Sequence, residues 1–199
     1  MNNFFKSNNI NHFYQNIQGW FPYGDLYSNL VQNCSHNQEY IFVEIGSWKG
    51  RSTSFMGVEI ANSKKNISFY AVDTWRGSEE HKDETNPSYE PLLKADEDGL
   101  YLEFLKNVAP VSSFICPLRM RSDSAAKIFP NESIDFIMID GAHDYDSVKL
   151  DIQSWLPKLK KGAIMTGDDL DWTGTTKAVK EMFPNGFQSF DNKIWQVIK

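Results

Sequence analysis

The stretch Ile41-Phe42-Val43-Glu44-Ile45-Gly46-Ser47-Trp48-Lys49-Gly50-Arg51-Ser52-Thr53 decides the fold. Its apolar first half reads as a strand buried on both faces, as strands of parallel sheets are. A glycine-punctuated turn follows at once, and Ser52 to Ala61 reads as a helix. Strand, glycine turn and helix N-terminus together make a cradle for a nucleotide-bearing ligand. Backbone N–H groups point at such a ligand, and glycines let it come close. A tight turn that binds nothing is the plainer alternative.

The spacing narrows the ligand. G-x-x-x-G is neither the dinucleotide fingerprint G-x-G-x-x-G nor a P-loop, because Arg51 follows Gly50. Glu44 stands two residues before Gly46. A carboxylate there repels a pyrophosphate and welcomes an ammonium. The pattern points to a cofactor carrying an amino acid, S-adenosylmethionine, rather than NAD or ATP.

Strand and helix signals alternate downstream. Ile67 to Asp73 reads as a second strand ending in an acid, and Ser113 to Pro117 as a short third. Ser122 to Phe129 is a short helix. Ile134 to Asp140 is a fourth strand, also ending in an acid. Val148, Ile152, Trp155 and Leu159 repeat at a helical period, which predicts a helix from Tyr145 to Leu159, stopped by Lys161-Gly162. Ala163 to Asp169 is a fifth strand, Thr175 to Phe183 a helix. Phe187–Phe190 and Lys193–Ile198 form a hairpin around Asp191-Asn192.

This order predicts an α/β fold with a parallel sheet and helices on both faces. Ligands of such sheets bind beyond the carboxyl ends of the strands. Asp73, Asp140, Asp168 and Asp169 all fall there. Four carboxylates at one edge repel each other unless cations hold them, although any one of them could cap the following helix instead.

The totals bound the rest. A chain of 199 residues suits one domain with a full core. A net charge of −6 argues against nonspecific nucleic-acid binding. Cys34 and Cys116 form neither a disulfide framework nor a metal spacing, which fits a reducing, cytoplasmic setting. No apolar run reads as a signal peptide or a membrane span. Residues 1–38 are polar, Asn-rich and studded with aromatics: Phe4, Phe5, Phe13, Tyr14, Trp20, Phe21 and Tyr23. They read as an N-terminal helical extension that packs on the domain or on a partner, with a homo-oligomer left open. Residues 76–100 are acidic and turn-rich, either a lid over an acceptor or a solvated loop.

Four motifs carry a family resemblance: Val43-Glu44-Ile45-Gly46-x3-Gly50-x-Ser52, Val72-Asp73-Thr74-Trp75, Ile139-Asp140-Gly141-x-His143-x-Tyr145, and Gly167-Asp168-Asp169. Over residues 39–199 the chain resembles the class I S-adenosylmethionine-dependent methyltransferases. Within them it is most similar to the metal-dependent small-molecule O-methyltransferases, such as the catechol and macrolide-sugar enzymes. The resemblance implies a Rossmann-like seven-stranded, mostly parallel sheet closed by a C-terminal antiparallel hairpin.

It also implies roles. Glu44 accepts from the methionine ammonium, Gly46 and Gly50 leave room for the cofactor, and Ser52 meets the methionine carboxylate. Asp73 takes the ribose hydroxyls. Asp123 contacts adenine or merely caps a helix. Asp140, near the cofactor, forms a metal site with Asp168 and Asp169, with Mg²⁺ the first expectation for an all-carboxylate set and Mn²⁺ or Ca²⁺ the alternatives. His143 stands where the family holds a general base. Asp171 is a solvent-facing spare. Tyr145, Trp75 and Trp172 either wall the site or simply pack. The implied reaction is methyl transfer to a small hydroxylated acceptor, a sugar or natural product. The alternatives are a metal-independent methyltransferase, a cofactor-binding scaffold without catalysis, and a nicotinamide oxidoreductase, which the missing fingerprint disfavours.

Overall fold

The computed structural model describes residues 9–86 and 88–199. The expected aromatics Phe4 and Phe5 lie outside them. A seven-stranded sheet has the order β3-β2-β1-β4-β5-β7-β6. The strands are β1 (Glu39–Ile45), β2 (Asn66–Asp73), β3 (Ile115–Arg119), β4 (Ile134–Ile139), β5 (Leu159–Gly167), β6 (Gln188–Phe190) and β7 (Ile194–Ile198). β1 to β5 pair in parallel, and β7 runs antiparallel to both β5 and β6. The expected Rossmann-like sheet with its C-terminal hairpin is present. Asp191 and Asn192 turn the hairpin with φ of 50° and 56°, the conformation that tight hairpins need.

The helices described are α1 (Gly24–Asn33), α2 (Arg51–Ser63), α3 (Glu79–Lys82), α4 (Leu92–Ala95), α5 (Gly99–Val108), α6 (Ser122–Ala125), α7 (Tyr145–Trp155) and α8 (Thr173–Met182). Strand alternation assigns the two faces. Phe42, Phe69, Phe136 and Met138 pack with residues of α1, α2 and α5. Val43, Ile45, Val72, Ile137 and Ile139 pack with residues of α6, α7 and α8. Both faces are covered, which is why β1 and β4 read as near-continuous apolar runs.

Three expected elements are corrected. The helix from Tyr145 ends at Trp155 rather than Leu159, and Leu156–Lys158 form a 3-10 turn. Pro157 has no N–H to continue the helix. Leu159 then opens β5 opposite Ile134, so Lys161-Gly162 lies inside the strand as an irregularity, with Gly162 at φ 79°. The third strand starts at Ile115 because Ala109–Phe114 are wound into 3-10 turns. Its Pro117 is tolerated because β3 is an edge strand.

The N-terminal segment is a 3-10 turn at Tyr14–Asn16 followed by α1. It packs deeply into one face. Tyr23, Tyr27 and Val31 are buried with Phe42, Phe55 and Phe136.

Gly46 (φ 85°) fixes how closely the central strands end together: a Cβ there would sit 1.9 Å from the Asp140 carbonyl oxygen. Gly162 also has a positive φ, yet a Cβ there meets nothing within 4 Å. Gly162→Ala should therefore cost about 1–2 kcal/mol, the left-handed penalty alone. Gly46→Ala adds a backbone clash and should cost more than about 4 kcal/mol or prevent folding. Urea denaturation of both variants checks this, and equal losses would contradict it.

Candidate active-site cleft

The carboxyl ends of β1, β2, β4 and β5 open into one cleft of about 940 Å³. Gly46, Ser52, Asp73, Asp123, Asp140, His143, Asp168 and Asp169 all line it. The sheet thus gathers eight of the expected site residues along one edge, as the strand-end acids foretold. Glu44 and Gly50 are absent from the lining.

The reasons for those two are structural. Alternation sends the Glu44 side chain into the face covered by α1 and α2, where it is fully buried. There it accepts hydrogen bonds from the Tyr27 hydroxyl at 2.8 Å and from the Thr53 hydroxyl. Burial pushes its carboxyl above the ordinary range, and those donors pull it back. Gly50 (φ 88°) makes room for α5 instead: a Cβ would lie 2.7 Å from Val108 Cγ1 and 3.0 Å from Phe104 Cδ2.

Asp73 builds the turn as well as lining the cleft. Its Oδ2 accepts from the N–H groups of Ser47 (3.0 Å) and Trp48 (2.9 Å), and its Oδ1 from that of Trp75 (2.8 Å). Burial raises this carboxyl, and the backbone donors of Trp75, Trp48, Ser47 and Thr74 pull it back. Trp75 itself is fully buried and donates from its ring to the Trp48 carbonyl, so it packs rather than walls the site. Asp123 does not cap α6; it accepts from Arg121 Nε at 3.0 Å.

At the other end, ligand atoms of Asp140, His143 and Asp169 lie within 4.8 Å of one another. His143 Nε2 sits 2.8 Å from Asp169 Oδ2, and the His143 ring lies 4.7 Å from that of Trp172. Asp169 reaches there through a left-handed backbone, φ 59°. Asp168 is beside this group rather than in it, its Oδ1 accepting from the Asp169 N–H at 2.8 Å. Asp171 is exposed. Burial first, then the Asp168 charge, pushes the Asp140 carboxyl well above the usual range, against the pull of the Tyr23 hydroxyl. Burial raises Asp168 to about 6.

This donor set fits a divalent cation, which would supply the positive charge that burial and the neighbouring carboxylates leave both acids without. An imidazole within reach widens the choice from Mg²⁺ towards Mn²⁺. The other end fits a polar cofactor: Trp48 Nε1 and Arg51 Nε are buried without a hydrogen-bond partner among the described residues, and both side chains line the cleft.

Several lining residues were not legible in the sequence. Gln18 to Pro22 reach the cleft from the N-terminal segment. Two described residues of the 76–100 stretch meet the glycine turn. Glu90 meets Lys49 of the glycine turn at 2.6 Å in a nearly buried ion pair. His81 stacks on Trp48 at 4.0 Å and lines the cleft. Asp151 of α7 also faces the cleft. No local motif marks these positions, because sequence-distant segments bring them in.

Comparison with known proteins follows this geometry. A family model described as a methyltransferase domain matches residues 43–170. The chain belongs to that methyltransferase-domain family. A curated relative, the uncharacterized protein y4gI of Sinorhizobium fredii, is 24% identical over 160 residues. That match covers 80% of this chain and only 16% of the relative's length. The O-methyltransferase NovP has a similar fold, with a TM-score of 0.68 and 15% identity over 88% of this chain and 78% of its own. MycE, a methyltransferase of mycinamycin biosynthesis solved with Mg, SAH and mycinamycin VI, has a TM-score of 0.56 and 14% identity. The match covers 89% of this chain and 49% of MycE. No helix among the described residues is long and apolar enough to cross a membrane.

Asp151 gives a pH prediction. It is 7% exposed, and burial raises its carboxyl to about 6. The folded state therefore holds a proton on Asp151 that the unfolded state has lost, between the unfolded value near ~4 and about 6. Stability is greatest below that window and falls as pH rises through it. Asp151→Asn should remove up to about 3 kcal/mol of that fall. Urea denaturation at pH 4.5 and 7.5 checks it, and the same pH difference in both proteins would refute it.

Proposed function

We propose that this chain is an S-adenosylmethionine-dependent O-methyltransferase for a small hydroxylated acceptor, a sugar or natural product, assisted by a divalent cation. The observation that carries the reading is the single cleft. It brings the glycine turn and Asp73 into one lining with Asp140, His143, Asp168 and Asp169. At about 940 Å³ it has room for a cofactor and a second small molecule. Membership of the methyltransferase family supports the methyl donor.

In this reading S-adenosylmethionine supplies a methyl group on a sulfonium, and the cation polarises the acceptor oxygen. The chain's residues do the rest. Ser52, in the first turn of α2, offers the helix N-terminus to a carboxylate. Asp73 accepts from the ribose hydroxyls. Asp123 and Leu150 line the cleft where the adenine would lie. Asp140, Asp168 and Asp169 hold the cation. His143 takes the acceptor proton as the methyl moves. The fully buried Glu44 supports the turn from below rather than meeting the methionine ammonium.

The contact between His143 and Asp169 favours a second reading, methyl transfer without a metal. Asp169 then orients the base instead of ligating a cation.

Two measurements test these readings. Calorimetry should show S-adenosylhomocysteine binding far more tightly than NAD; comparable affinities would end the methyltransferase reading. Methyl transfer, followed by intact mass on a panel of phenols and sugars, should stop with EDTA and return with Mg²⁺ or Mn²⁺. Activity untouched by EDTA selects the second reading. His143→Ala should lower kcat by about 10²–10⁴-fold. Its Mn²⁺ affinity should stay near that of the wild type, and a large loss would make His143 a ligand instead.

A further inference from the structure

One oxygen of Asp140 is already committed. The Tyr23 hydroxyl donates to Asp140 Oδ2 at 2.6 Å. Tyr23 caps the N-terminus of α1 and is 4% exposed. Its ring is locked by Phe21 at 4.8 Å and by Tyr27 at 5.2 Å, so the position of its hydroxyl is fixed by packing. Tyr27, four residues on and on the same helix face, donates to Glu44 instead. The two tyrosines make equivalent bonds to two different acids, and only Tyr23 touches the cluster at the cleft.

The Asp140 carboxylate is grouped with Asp169 and His143, and the Tyr23 hydroxyl is a packed, fixed donor to one of its oxygens. The donor is neutral, and that matters. A lysine or arginine there would orient Asp140 equally well but would supply the positive charge that a cation brings. A hydroxyl orients the ligand and leaves its charge for the metal.

We propose that Tyr23 is a positioning residue for the cation site. It fixes the Asp140 rotamer so that a carboxylate oxygen stays grouped with the Asp169 carboxylate, beside the His143 ring. This rests on the cation reading above. Tyr23 lies outside residues 43–170, the span that matches the family, so the N-terminal segment completes a site whose other members lie within that span.

The test uses the full chain and Mn²⁺ alone as the probe, titrated by electron paramagnetic resonance. Tyr23→Phe removes one oxygen and keeps the packed ring. It should weaken Mn²⁺ binding about 10-fold or more, as loss of an outer-shell partner typically does. Tyr27→Phe removes an equally buried bond to Glu44 and keeps the Tyr23–Asp140 bond, and should lose much less Mn²⁺ affinity than Tyr23→Phe. S-adenosylhomocysteine affinity, measured by calorimetry, should be the same in Tyr23→Phe as in the wild type. Unchanged Mn²⁺ affinity in Tyr23→Phe, or an equal loss in both variants, overturns the positioning role while the cation reading stands. A wild type that takes up no Mn²⁺ overturns both.

Discussion

The site depends on a backbone contact. β1 and β4 end side by side, and the chain leaving β1 at Gly46 passes against the Asp140 carbonyl where no side chain could fit. Main-chain bonds stitch the strand ends together around that contact. Gly46 N–H donates to Val72, Asp140 N–H to Ile45, and Asp168 N–H to Ile139. Three acids, Asp73, Asp140 and Asp168, are thereby carried to one edge. Their carboxylates do not attract each other. The ladder holds them together against their repulsion.

That arrangement has an electrostatic consequence. Asp140, Asp168 and Asp151 all resist ionisation in the protein without ligands. Groups perturbed in this way gather where a ligand is to bind, because the ligand supplies the missing compensation. Asp73 is raised by burial as well, but backbone donors, among them the N–H groups of Ser47, Trp48 and Trp75, pull it back and hold the glycine turn closed. The left-handed Trp48, at φ 47°, sits inside that grip and presents its ring to the segment carrying His81.

How legible a residue was depended on how local its determinants are. The strand-end acids could be read because period-2 burial and the following turn fix where a strand stops. The glycines could be found but not explained. Gly46 serves a neighbouring strand and Gly50 serves α5, and neither neighbour is close in sequence. Glu44 was placed two residues from the turn, but a strand alternates its side chains. One step of parity carried it into the core. The end of α7 was missed because Leu159 satisfies the helical period and also a strand pairing with Ile134, and Pro157 settles the competition.

The sequence by itself determined the alternating strands and helices, the closing hairpin, and the edge of the sheet at which chemistry is possible. These follow from periodicity, from turn residues and from the position of acids at strand ends, all of them short-range properties. Only the tertiary structure decided what completes the cleft. Tyr23 comes from the residue just before α1, Gln18 to Pro22 from the chain before it, and Glu90 from the segment latched to Lys49. Each meets the site across a large gap in sequence. Packing of whole elements sets those meetings, and no local pattern encodes it.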